Sequence, residues 1–93
     1  MFTEKDFCEI NKNQYDIIRL AENCIELKSV LTGHYWLIIS CDNPKFLLFH
    51  KYSAYQNYHK QEINEYAHTR LVLRYIKGHD KAYYSRTPDV NNL

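Results

Sequence analysis

The chain has few residues that break or bend a backbone: two glycines and two prolines in 93 positions. That scarcity excludes a glycine-rich phosphate loop and argues against a flexible linker. Long apolar runs are also missing. None approaches the roughly 20 residues that a membrane span needs, and no signal-peptide core is present. A membrane partner is therefore not expected. Cysteine is sparse and odd in number, with Cys8, Cys24 and Cys41 widely spaced. Without a Cys-x-x-Cys pair, neither a zinc site nor a redox motif is signalled. The pattern predicts buried thiols in a reducing cytoplasm, with no metal and no cofactor.

What is present points to one folded unit. A hydrophobic fraction of 45% with 25% charged residues is globular composition rather than disorder. The length suits a single domain over 1–93 with a modest core. Tyrosine is over-used, at nine copies. Its ring can be buried while its hydroxyl stays wet, so it collects at interfaces as well as in cores. The net charge of +1 conceals an asymmetry. Residues 1–44 carry four Lys/Arg against seven Asp/Glu, and residues 45–93 carry eight against four. A dipolar molecule follows if the halves keep separate surfaces.

Patterning predicts a short helix first. Thr3 is its candidate N-cap with Asp6 as capping-box partner, and Phe2 and Phe7 form a hydrophobic staple. Asn11 to Gln14 ends it. Strands are expected over Tyr15–Leu20, Cys24–Val30, His34–Ser40 and Lys45–Lys51, with a short fifth over about Tyr58–Glu62. The third is apolar on both faces and belongs in the centre of the sheet. In the fourth, Phe46, Leu48 and His50 share one face, and Leu47, Phe49 and Lys51 the other. Gly33 supplies the positive φ of a hairpin turn, and Cys41 to Pro44 is a second turn. A helix follows from Thr69 as cap, or from Ile63, with Leu71, Val72, Tyr75 and Ile76 on one face. Gly78 fits its C′ position. Lys81–Arg86 is then a candidate edge strand, and Pro88 onward is expected to fray. The fold class is α+β: a short N-terminal helix, an antiparallel meander of four to five strands, and a C-terminal helix on one sheet face.

One stretch carries more than folding information. In Phe49–Lys60 an aromatic-His-Lys triplet occurs twice, nine residues apart, with Tyr52, Tyr55 and Tyr58 between and no acidic side chain. Lys51, Tyr52, Tyr55, Tyr58, His59 and Lys60 are the candidate partner-binding residues. Arg70, Arg74 and Lys77, at i, i+4 and i+7, add a cationic stripe on the helix. An aromatic, cationic surface suits a protein partner, since Tyr and Arg are common interface anchors. It equally suits RNA or DNA, through base stacking and phosphate contacts. At least two of Tyr52, Tyr55, Tyr58, Tyr83 and Tyr84 are expected to be mainly buried. Catalysis has weaker support. His50, His59, Lys51, Lys60 and Tyr58 could form a metal-independent ribonuclease site if the two triplets meet on one face. No nucleophile elbow and no helical His-x-x-x-His pair accompany them, so no catalytic residue is assigned.

Several short motifs carry a resemblance. Thr32-Gly33-His34-Tyr35-Trp36, Leu48-Phe49-His50-Lys51, Tyr58-His59-Lys60-Gln61 and Tyr75-Ile76-Lys77-Gly78-His79-Asp80 resemble a group of small accessory proteins from mobile elements and phages of Firmicutes. The group implies no reaction and no cofactor. It implies a setting in which such proteins inhibit host defence complexes or bind nucleic acid. The resulting expectation is a non-enzymatic binding protein acting on a larger host protein or protein–nucleic-acid complex, such as a defence nuclease in the manner of an anti-CRISPR. The alternatives are direct RNA or DNA binding and a small ribonuclease. A homodimer through an edge strand is a further possibility.

Overall fold

A computed structural model describes residues 1–41, 46–62 and 68–86. Helix α1 spans Glu4–Cys8. Thr3 caps it through a reciprocal box: the Thr3 amide donates to the Asp6 carboxylate at 2.8 Å, and the Asp6 amide donates to the Thr3 hydroxyl at 3.4 Å. The other Asp6 oxygen accepts from the Thr69 hydroxyl at 2.8 Å, tying α1 to the last helix. Phe2 is buried, 6.5 Å from the Phe7 ring and stacked on Phe46 at 5.4 Å.

Five strands follow: β1 Tyr15–Leu20, β2 Cys24–Ser29, β3 Tyr35–Ser40, β4 Phe46–Lys51 and β5 His59–Gln61. They form one antiparallel sheet in sequence order, so β3 is the central strand as its two-sided apolar pattern predicts. The β2–β3 turn depends on Gly33, whose φ of +76° lies in the left-handed region. Both edges are blunted. A bulge at Ile18 shifts the β1–β2 register between Ile17 and Arg19, and β5 has only three residues.

Helix α2 spans Thr69–Arg86. Thr69, Val72, Leu73, Ile76 and Asp80 are buried, at spacings that keep them on one helix face. They close over Ile25, Leu27, Trp36, Ile38 and Leu48, which are fully buried and lie on one face of the sheet. The α+β architecture is as the patterning predicts.

Five expectations are corrected. Gly78 does not end the helix, and Lys81–Arg86 is helical rather than an edge strand. The reason is tertiary: His79 and Asp80 find sheet partners one turn beyond Ile76, the last aliphatic core residue. Thr69 is the first helical residue, and its hydroxyl donates to Asp6 instead of capping. The Ile63 onset and the fraying after Pro88 fall outside the described residues. The thiols are less protected than expected, since Cys8 is exposed and Cys24 and Cys41 are half-buried. Of the five tyrosines expected to include at least two core residues, none is buried: Tyr58 is half-buried, and Tyr52, Tyr55, Tyr83 and Tyr84 are exposed. Trp36 and the aliphatic side chains already fill the space beneath α2.

Candidate interaction surface on the open face of the sheet

Alternation along each strand puts half of its side chains on the face that α2 does not cover. Cross-strand register assembles them into rows. One row runs Arg19, Glu26, Leu37, Phe49, Lys60. A second runs Asp16, Lys28, Tyr35, Lys51, and a third runs Cys24, Ile39, Leu47. Leu37, Ile39, Leu47 and Phe49 are all only half-buried. An apolar patch therefore occupies the middle of an open sheet face.

Cations and aromatic rings border the patch. The Lys28 ammonium lies 5.6 Å from the centre of the Tyr35 ring, and that of Lys51 lies 5.1 Å from it. Lys51 is also 4.5 Å from the centre of the Tyr58 ring. Such contacts hold a long side chain in place by cation–π attraction. The Tyr58 hydroxyl donates to a Glu26 carboxylate oxygen at 2.6 Å, linking the start of β5 to β2 across the sheet. Burial raises the Tyr58 pKa, and the bond to Glu26 and its negative charge raise it further, so the phenol keeps its proton. Burial also raises the pKa of the Cys24 thiol, with Arg19 opposing and Glu26 reinforcing the shift. The neutral thiol is a poor nucleophile.

The β4–β5 connection extends this surface. The Tyr52 amide donates to the Gln56 side-chain oxygen at 2.9 Å, the Gln56 amide to the Ser53 carbonyl at 3.3 Å, and the Lys51 ammonium to the Ala54 carbonyl at 3.5 Å. Tyr55, at the tip, is 99% exposed.

The predicted binding residues are divided among three places. Lys51, Tyr58 and Lys60 belong to the open face, with Tyr55 at the neighbouring tip. Tyr52 and His59 point to the α2 side: His59 pairs with His50 in register, and Tyr52 packs edge-on to His34 and His50. Arg70, Arg74 and Lys77 are exposed on α2, where Arg74 and Lys77 face Glu9, Asn11 and Gln14. The single surface expected from the sequence is thus two surfaces on opposite sides of the sheet. The ribonuclease constellation is split in the same way, with His50 and His59 on one face and Lys51 and Lys60 on the other.

The covered face holds a polar cluster that the sequence did not announce. His34 and His50 are buried and share a hydrogen bond between Nδ1 and Nε2 at 3.0 Å, with donor and acceptor set by the tautomers. Asp80 Oδ1 accepts from the Trp36 indole at 3.2 Å and from the Thr32 hydroxyl at 3.4 Å. His79 packs against Trp36, and its buried Nδ1 finds no partner among the described residues. Burial pushes His50 down to about pKa 4, with the neighbouring His34, His79 and His59 adding to the shift. Burial lowers His34 in the same direction, with Asp80 opposing. These groups lie under α2 and do not converge as a metal site: no group of three His, Cys, Asp or Glu among the described residues can hold an ion. The signal for this cluster was Trp36 with His34 and His50 at alternating positions, but only the register brings them together.

No protein-family model matches the chain, and no curated protein or solved structure is significantly similar to it. No helix among the described residues is long and apolar enough to cross a membrane.

Proposed function

We propose that this chain is a non-enzymatic binding protein that docks a larger protein against the open face of its sheet. The observation that carries the proposal is the half-buried patch of Leu37, Ile39, Leu47 and Phe49, bordered by Tyr35, Tyr58 and three lysines. An apolar centre with a polar rim is the usual anatomy of a protein interface. The exposed Tyr55 is the kind of aromatic anchor that dominates binding energy when a partner desolvates it. Direct nucleic-acid binding is the second reading, but Lys28 and Lys51 already approach the rings on which bases would stack. The ribonuclease reading draws no support, because its histidines and lysines sit on opposite faces. The finer role is inhibition of a host defence nuclease in the manner of an anti-CRISPR, and it rests on the resemblance of the short motifs.

Capture from a host lysate, with and without nuclease digestion, tests the reading when wild type is run beside Phe49→Glu and Tyr55→Ala. Expected is a discrete protein retained after digestion by wild type and lost by both folded variants. Retention that disappears on digestion transfers the function to nucleic acid. Retention unchanged in both variants refutes the choice of face.

A further inference from the structure

At one end of the covered face, a pocket of about 280 Å3 opens between the β2–β3 turn and α2. It is just below the roughly 300–1,000 Å3 typical of small-molecule sites. Its lining is mostly apolar, with Val30 and Leu31 forming an exposed aliphatic wall. Tyr15 and Asp80, both buried, supply polar groups at the inner side. Lys77 and Lys81 line the helix side one turn apart, and both are exposed. Neither lysine has an ion-pair partner among the described residues.

The polar groups differ in what they leave available. The Asp80 carboxylate already accepts from Trp36, Thr32 and the Ser29 hydroxyl. It can only accept, so it offers nothing to an anionic group. Burial, with the Asp80 charge adding to it, pushes Tyr15 up to about pKa 12, so its hydroxyl remains protonated and neutral. The two lysines are the cations left to meet negative charge. An anion is therefore attracted at the lysines and repelled from the inner end by Asp80, while the apolar wall takes an uncharged body.

We propose that this pocket binds a small amphipathic anion, an apolar body carrying one carboxylate or phosphate group. The body lies against Val30 and Leu31, and the anionic group sits at Lys77 and Lys81. The site is separate from the open sheet face and does not depend on docking there. A carboxylate and a phosphate share this chemistry, so both are used as probes.

The test is an amide-detected NMR titration of the full chain with phenyl phosphate and with phenylacetate. Inorganic phosphate and benzyl alcohol serve as separate arms for the anion alone and the apolar body alone. Expected are saturable shifts at Val30, Leu31, Lys77 and Lys81 with at least one amphipathic anion, at concentrations where both control probes produce none. The Lys77→Gln/Lys81→Gln variant should weaken that binding about tenfold, two exposed charge contacts being removed. Leu31→Asp should abolish it while amide dispersion elsewhere is retained. The proposal is overturned if inorganic phosphate or benzyl alcohol gives the same shifts. It also fails if the saturating signals lie elsewhere, or if the double-lysine variant binds within twofold of wild type.

Discussion

The two faces of the sheet are built from the same strands by alternation, yet they treat polar groups in opposite ways. On the covered face, Trp36, His34, His50 and Asp80 are all buried and satisfy one another in pairs. On the open face, Lys28, Lys51, Tyr35 and Tyr58 are only half-buried, and the two lysines form contacts centred on the tyrosine rings. Desolvation explains the contrast. A group beneath α2 has no water to turn to and needs a protein partner. A group on the open face has both, so its contacts are adjustable. The covered face should therefore govern stability, and the open face should tolerate change and govern binding.

The largest expected effect contrasts the two faces by truncation. Trp36→Ala removes a fully buried ring and an Asp80 partner, and should cost about 3–5 kcal/mol in denaturant unfolding. Leu37→Ala, next to it in sequence but on the half-buried face, should cost less than half of that. Equal losses would erase the distinction between the faces.

A pH titration of stability sharpens the same contrast. His50 has a folded pKa near 4, depressed from 6.5. Between those values the unfolded chain binds the extra proton, so stability is complete above about pH 6.5 and falls as pH is lowered toward 4. The linkage amounts to at most roughly 3 kcal/mol. His34 shifts in the same direction and steepens the loss. Asp80 is shifted upward by burial and opposes it at the acid end. His50→Leu should flatten the profile between pH 4 and 6.5, whereas Lys51→Leu on the opposite face should leave it unchanged.

Smaller effects test the boundaries. Tyr58→Phe deletes the hydroxyl that donates to Glu26 and should cost about 1 kcal/mol, as a half-exposed hydrogen bond does. Gly78→Ala should stabilise by roughly 0.5–1 kcal/mol, because Gly78 is exposed inside α2 and a methyl group there meets nothing within 4 Å. A loss on Gly78→Ala would mean that α2 does not continue past that residue.

Much of the fold was legible in the residues. Thr3 with Asp6, and Phe2 with Phe7, announced α1, because capping and stapling act within a single turn. Ile25 and Leu27 alternating with Glu26 and Lys28 gave β2 and its buried face, since the side-chain period of a strand is two. The site was less legible. Lys51 and Lys60 share a face because Phe49 pairs with Lys60, and that register depends on a seven-residue connection no local rule specified. Arg70, Arg74 and Lys77 formed a stripe as predicted by helical spacing, but nothing local said which side of the sheet α2 would cover. Gly78 misled because its local preference for a helix terminus is weaker than the contacts that Asp80 gains further along α2.

The sequence by itself determined the class, the strand order, the central place of β3 and the two alternating sets of side chains. These follow from short-range periodicity and from hairpins that join neighbours in the chain. Only the tertiary structure decided which set α2 covers. Burying Val72, Leu73 and Ile76 against Leu27, Trp36 and Leu48 removes the most apolar area from water. That choice drew His34, His50 and Asp80 into the interior and left Lys28, Tyr35, Lys51 and Tyr58 outside. The aromatic-His-Lys pair was divided by the same step, its histidines going to one face and its lysines to the other.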